Sequence, residues 1–119
     1  MTRIPYLIAG LATLVAIAAP TSTGMASATK LKGTTGPGFT ITLKKGTAKV
    51  TKLKAGSYVI KVSDKSKIHN FRLKGPGVNK TTSVGGTGTS TWKVTLKKGK
   101  YTIVCDPHAT IMKSTFTVT

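Results

Sequence analysis

Acidic side chains are nearly missing from this chain: Asp64 and Asp106 are the only two in 119 residues, and glutamate does not occur. Two isolated carboxylates are too few for chemistry that relies on paired acids and bases, and no enzymatic activity is expected. Cysteine is equally scarce. Cys105 stands alone, so no disulfide can form within the chain, and the thiol must serve as an intermolecular bridge, a reactive group or a metal ligand. Helical periodicity is absent from every segment. The one long apolar run, Tyr6 to Ala19, is shorter than the roughly 20 residues that a spanning helix needs.

That run follows Arg3 and precedes a polar stretch ending in Ala26-Ser27-Ala28. The layout is that of a secretory signal peptide over residues 1–28. Export to a periplasm, a cell envelope or the medium is therefore expected, with no membrane span after cleavage. Residues 29–37, "TKLKGTTGP", read as a flexible lead-in, and residues 38–119 as a single domain.

What remains is basic. Nineteen Lys+Arg give a formal net charge of +17, which attracts anionic partners without choosing among nucleic acid, envelope polymer and acidic protein. The domain alternates apolar and polar residues in short runs broken by glycine, the period of half-buried strands. The apolar sets are Phe39, Ile41, Leu43; Tyr58, Ile60, Val62; His69, Phe71, Leu73; Trp92, Val94, Leu96; Tyr101, Ile103, Cys105; and Phe116, Val118. With weaker runs near 47–52 and 81–84, about eight strands result, enough for a two-layer antiparallel sandwich. All six aromatics of the domain take inward positions, leaving none to stack on bases, so nucleic acid is not an expected partner. Lys61, Lys93 and Lys100 point outward, where lysine also discourages strand edges from pairing.

The pattern L-K-x-G-x-Y-x-I occurs twice, from Leu53 and from Leu96. Aligning the copies puts Cys105 where Val62 stands, facing inward at a strand end. His69 shares the inward parity of its own run. His69, Cys105, His108 and Met112 together supply two imidazoles, a thiolate and a thioether, the donor set of a mononuclear blue copper site. Zinc would bind such a set too, but without redox chemistry.

The "IHNF" and "CDPHATIM" stretches resemble the corresponding motifs of the cupredoxins, small blue copper proteins of the plastocyanin, pseudoazurin and amicyanin kind. The resemblance extends from Phe39 to Thr119. It implies an all-β Greek-key sandwich and one copper ion alternating between Cu(I) and Cu(II). It further implies that Asn70 hydrogen-bonds across to the ligand loop and that the protein shuttles single electrons. By the same resemblance His108 lies near the surface, framed by Pro107, Ala109, Thr110, Ile111 and the glycines of the 75–77 turn, a small docking patch for a redox partner. The three residues between His108 and Met112 depart from the plastocyanin spacing. Asp106, beside the thiolate, is expected to point into solvent and to lower the reduction potential. The charge suggests an acidic redox protein or an anionic envelope surface as the partner of a monomer. Two other readings share these residues: copper delivery in the envelope without an electron-transfer role, and a polybasic adhesion module in which the copper site is incidental.

Overall fold

A computed structural model describes residues 28–119; the expected signal peptide lies, but for Ala28, outside the described residues. Among these residues ten strands form two five-stranded sheets. They are β1 (Thr29–Thr35), β2 (Ile41–Lys45), β3 (Ala48–Lys49), β4 (Lys52–Leu53), β5 (Gly56–Asp64), β6 (Arg72–Gly75), β7 (Val78–Thr81), β8 (Gly88–Leu96), β9 (Gly99–Val104) and β10 (Lys113–Val118). The first sheet has the order β3-β2-β1-β5-β8 and the second β4-β10-β9-β6-β7. Most pairings are antiparallel, while β1 with β5 and β4 with β10 are parallel. No helix among the described residues is long and apolar enough to cross a membrane.

The alternation of the sequence becomes the inter-sheet core. Leu31, Leu43, Tyr58, Ile60, Val62, Val94 and Leu96 from the first sheet meet Leu53, Leu73, Tyr101, Ile103, Phe116 and Val118 from the second, all buried. Tyr101 stacks on Phe116 with ring centroids 5.3 Å apart.

The repeated L-K-x-G-x-Y pattern has a physical basis. In the first copy the Tyr58 hydroxyl donates to the Lys54 carbonyl at 2.6 Å, and in the second the Tyr101 hydroxyl donates to the Lys97 carbonyl at 2.8 Å. Each tyrosine thus closes the turn that leads into its own strand. Gly56 and Gly99 sit between at positive φ, 153° and 145°, which side-chain-bearing residues rarely adopt.

Four expectations need correction. Residues 29–35 are not a flexible lead-in but β1, a central strand hydrogen-bonded to β2 on one side and to β5 on the other. The described residues form ten strands, against about eight expected. Besides β1, the weak run near 47–52 divides into β3 and β4, which belong to different sheets, because the chain crosses between layers at buried Val50. The strand expected to carry His69 begins only at Arg72, so His69 belongs to the preceding loop, although His69, Phe71 and Leu73 are all buried. Phe39 is not inward: β2 starts at Ile41, and the loop through Pro37 and Gly38 holds the Phe39 ring 56 % exposed.

Candidate metal centre

Three loops meet at one end of the sandwich. The first, residues 36–40 between β1 and β2, carries Phe39. The second follows β5, where the Asp64 carboxylate accepts from Ser66 N–H at 3.1 Å and from the Thr82 hydroxyl at 3.2 Å and so holds the turn that delivers His69. The third runs from Cys105 to Met112. Its residues Asp106–His108 form one 3₁₀ turn with Pro107 inside it, where a fixed φ and a missing N–H cost nothing. Backbone bonds close this loop at both ends: Cys105 N–H to the Met112 carbonyl at 3.0 Å, and Met112 N–H to the His108 carbonyl at 2.8 Å.

The loops bring His69, Cys105 and His108 together. Their donor atoms form a triangle: Nδ1 to Nδ1 is 3.1 Å, Cys105 Sγ to His69 Nδ1 is 3.6 Å, and Sγ to His108 Nδ1 is 3.5 Å. A point equidistant from the three corners lies about 2 Å from each, close to the lengths of metal–imidazole and metal–thiolate bonds, about 2.0–2.3 Å. His69 and Cys105 are fully buried and His108 is half-buried. One cation at that point would be bonded by two imidazole nitrogens and a thiolate at once. Soft thiolate with two imidazoles suits copper. Met112, 1 % exposed, closes the loop.

Each histidine ring also touches Phe39. The Phe39 centroid is 5.2 Å from that of His69 and 5.0 Å from that of His108, both edge-to-face. The ring therefore covers the two imidazoles from the solvent side. His69 Nε2 and Thr35 Oγ1 are buried without a hydrogen-bond partner among the described residues.

Behind the cysteine lies a polar clamp. Asn70, 1 % exposed, accepts from Asp106 N–H at 2.7 Å and donates to the Asp106 carboxylate at 2.8 Å and to the Thr81 hydroxyl at 2.9 Å. The Arg72 guanidinium grips the same carboxylate, with Nε 2.9 Å from Oδ1 and Nη2 2.8 Å from Oδ2, and its Nη1 reaches the Asn79 side chain at 2.7 Å. Hydrogen bonding to Arg72 holds the Asp106 carboxyl below its ordinary pKa; Asn70 adds to this against an opposing contribution from burial. The Asp106 side chain is 40 % exposed, as the sequence leads one to expect, but it is held by Asn70 and Arg72 rather than free in solvent. Its charge is matched by Arg72, so the site sees an ion pair rather than a lone anion.

Of the expected docking residues, Pro107, Ala109 and Ile111 are exposed beside His108, with Ile111 64 % exposed. Sequence reasoning misses the site roles of Phe39 and Arg72. Phe39 shares the parity of Ile41 and so reads as core, and Arg72 reads as one cation among many, since its partner is far away in the chain.

Residues 38–119 match the family of copper binding proteins described as the plastocyanin/azurin family. No curated protein sequence matches significantly. Among solved structures, reduced rusticyanin superposes with a TM-score of 0.56 at 19 % identity, covering 76 % of this chain and 78 % of that one. Rusticyanin from Thiobacillus ferrooxidans gives 0.55 at 18 % identity, with 76 % of each chain covered. Auracyanin A, a "blue" copper protein from the green thermophilic photosynthetic bacterium Chloroflexus aurantiacus, gives 0.52 at 16 % identity over 76 % of this chain and 98 % of that one. At these identities the superpositions speak for the fold, while the family match spans more than two thirds of the sequence: the chain belongs to the plastocyanin/azurin family of copper binding proteins, the cupredoxins.

Proposed function

We propose that this protein is an exported carrier of single electrons, with one copper ion held by His69, Cys105, His108 and Met112, and that it catalyses no reaction of its own. Bound copper supplies a one-electron couple between Cu(I) and Cu(II). The protein's part is to keep the donors in one geometry in both states. The observation that carries the reading is the unequal burial of the donors: His69, Cys105 and Met112 are shut in, and His108 alone reaches the surface. An electron would cross at the His108 edge, where Phe39, Pro107, Ala109 and Ile111 make a small apolar rim. The Asn70–Asp106–Arg72 clamp limits movement of the cysteine loop, which keeps reorganisation small. Export rests on the N-terminal pattern of residues 1–28.

The surrounding positive charge favours an acidic redox partner and speeds encounter at low salt. The test is stopped-flow oxidation and reduction of the copper-loaded protein by two small redox proteins of opposite net charge. Fast exchange with the acidic one, slowing as salt is added and impaired by Ile111→Glu, supports the proposal. If exchange is slow with both while copper passes readily to an acceptor protein, the role is copper delivery instead.

A further inference from the structure

The end of the sandwich remote from the metal carries a second surface that electron transfer does not use. The terminal strand of each sheet on the same side is short of a neighbour: β8 pairs only with β5, and β7 only with β6, among the described residues. Between them lies a groove of about 420 Å³ whose lining includes Val78, Lys80, Lys93, Val94, Thr95 and Lys97. Lys93 to Leu96 pair with Val59 to Gly56, the end of β5 away from Asp64 and the ligand loops. The groove therefore opens away from His108.

Its frame is rigid. Tyr101, fully buried, accepts from Lys97 N–H at 2.9 Å and donates to the Lys97 carbonyl at 2.8 Å, with the Pro76 carbonyl 3.2 Å away. One hydroxyl thus ties the turn after β8 to the turn before β7 and fixes the two sides of the groove. A Cβ on Gly77 would lie 3.8 Å from Lys97 Nζ, so this lysine spans the mouth from one sheet to the other.

We propose that this groove is a docking site for an extended acidic segment of a partner protein, which adds to the free edge of β8 as a further strand. Three observations favour that occupant. β8 is nine residues long, and a long open edge is a template for strand addition. Lys80, Lys93 and Lys97 converge on the groove, so alternate acidic side chains would meet ammonium groups while the others cover Val78 and Val94. The same lysines, on a chain with net charge +17, repel another copy of this basic protein and leave an acidic strand as the complementary partner. Docking here would hold the protein on its partner while the His108 face stays free.

The test uses isotope-labelled protein and a nine-residue peptide of alternating Glu and Val, followed by amide chemical shifts and hydrogen exchange. Expected are shifts confined to Val78–Lys80 and Lys93–Lys97 and slowed exchange at alternate amides of β8. The Lys80→Glu/Lys93→Glu double variant should bind at least about tenfold more weakly, and the uncharged Lys80→Gln/Lys93→Gln pair should follow in direction should the first fail to fold. Lys30→Glu/Lys52→Glu, the same change in net charge on exposed strand positions elsewhere, should bind nearly as wild type. The proposal is overturned if both charge-reversal pairs weaken binding equally, if β8 amides gain no protection, or if inorganic polyphosphate fills the groove and the peptide does not.

Discussion

Replacing Asn70 with alanine removes the one side chain among the described residues that bonds both the backbone and the carboxylate of Asp106. The bond from Asp106 N–H is neutral and contributes about 1 kcal/mol. The bond to the carboxylate is charge-assisted, but the Asp106 side chain is 40 % exposed, which discounts it to about 1–1.5 kcal/mol. The bond to Thr81 contributes about 0.5–1 kcal/mol. Asn70→Ala should therefore destabilise the protein by about 3 kcal/mol, a fall in Tm of about 12–24 °C for a domain of this size. The assay is thermal unfolding of the metal-free protein followed by circular dichroism, so that lost copper affinity cannot account for the change. Asn70→Asp is the companion variant: it keeps an acceptor for Asp106 N–H but sets a second carboxylate against the first, and should be no more stable than the alanine variant. A fall of less than about 5 °C for Asn70→Ala would refute the clamp as a structural element.

Other expectations follow from particular contacts. Deleting residues 29–35 should abolish cooperative unfolding, because β2 and β5 would lose the strand that joins them; a folded product by near-ultraviolet circular dichroism would show β1 to be dispensable. Tyr101→Phe should cost more than Tyr58→Phe in urea unfolding, about 2 against about 1 kcal/mol, since Tyr101 bonds both groups of Lys97 and approaches Pro76 while Tyr58 bonds one carbonyl; equal costs would contradict that assignment. Phe39→Ala should leave Tm within about 3 °C, the ring being mostly exposed, yet speed copper loss to a chelator several-fold by uncovering both imidazoles; unchanged release would mean that the ring shields nothing.

Much of this architecture was legible because the core positions keep period two: Tyr58, Ile60 and Val62, then Tyr101, Ile103 and Cys105, are buried as their alternation requires. The duplicated turn fixed the register, and the donor types with their spacing located the metal centre. β1 was hidden because its inward positions are Leu31, Gly33 and Thr35, only one of which is a large apolar residue. Gly33 is there for packing: a Cβ would come within 2.8 Å of the Phe71 ring, so the position that most tightly joins β1 to the other sheet carries no hydrophobic signal at all. The Arg72–Asp106 pair was hidden for a different reason. Partners brought together by tertiary structure leave no local pattern, and among 19 basic residues one arginine does not stand out.

The central claim is that Cys105 and two histidines hold copper together, and the optical spectrum tests it most directly. One equivalent of Cu(II) added to the metal-free protein should give an intense blue thiolate-to-copper charge-transfer band that saturates at one ion per chain. The band should vanish in Cys105→Ser, because the thiolate is its electron donor. A colourless wild-type complex, or a band that survives Cys105→Ser, would contradict the account.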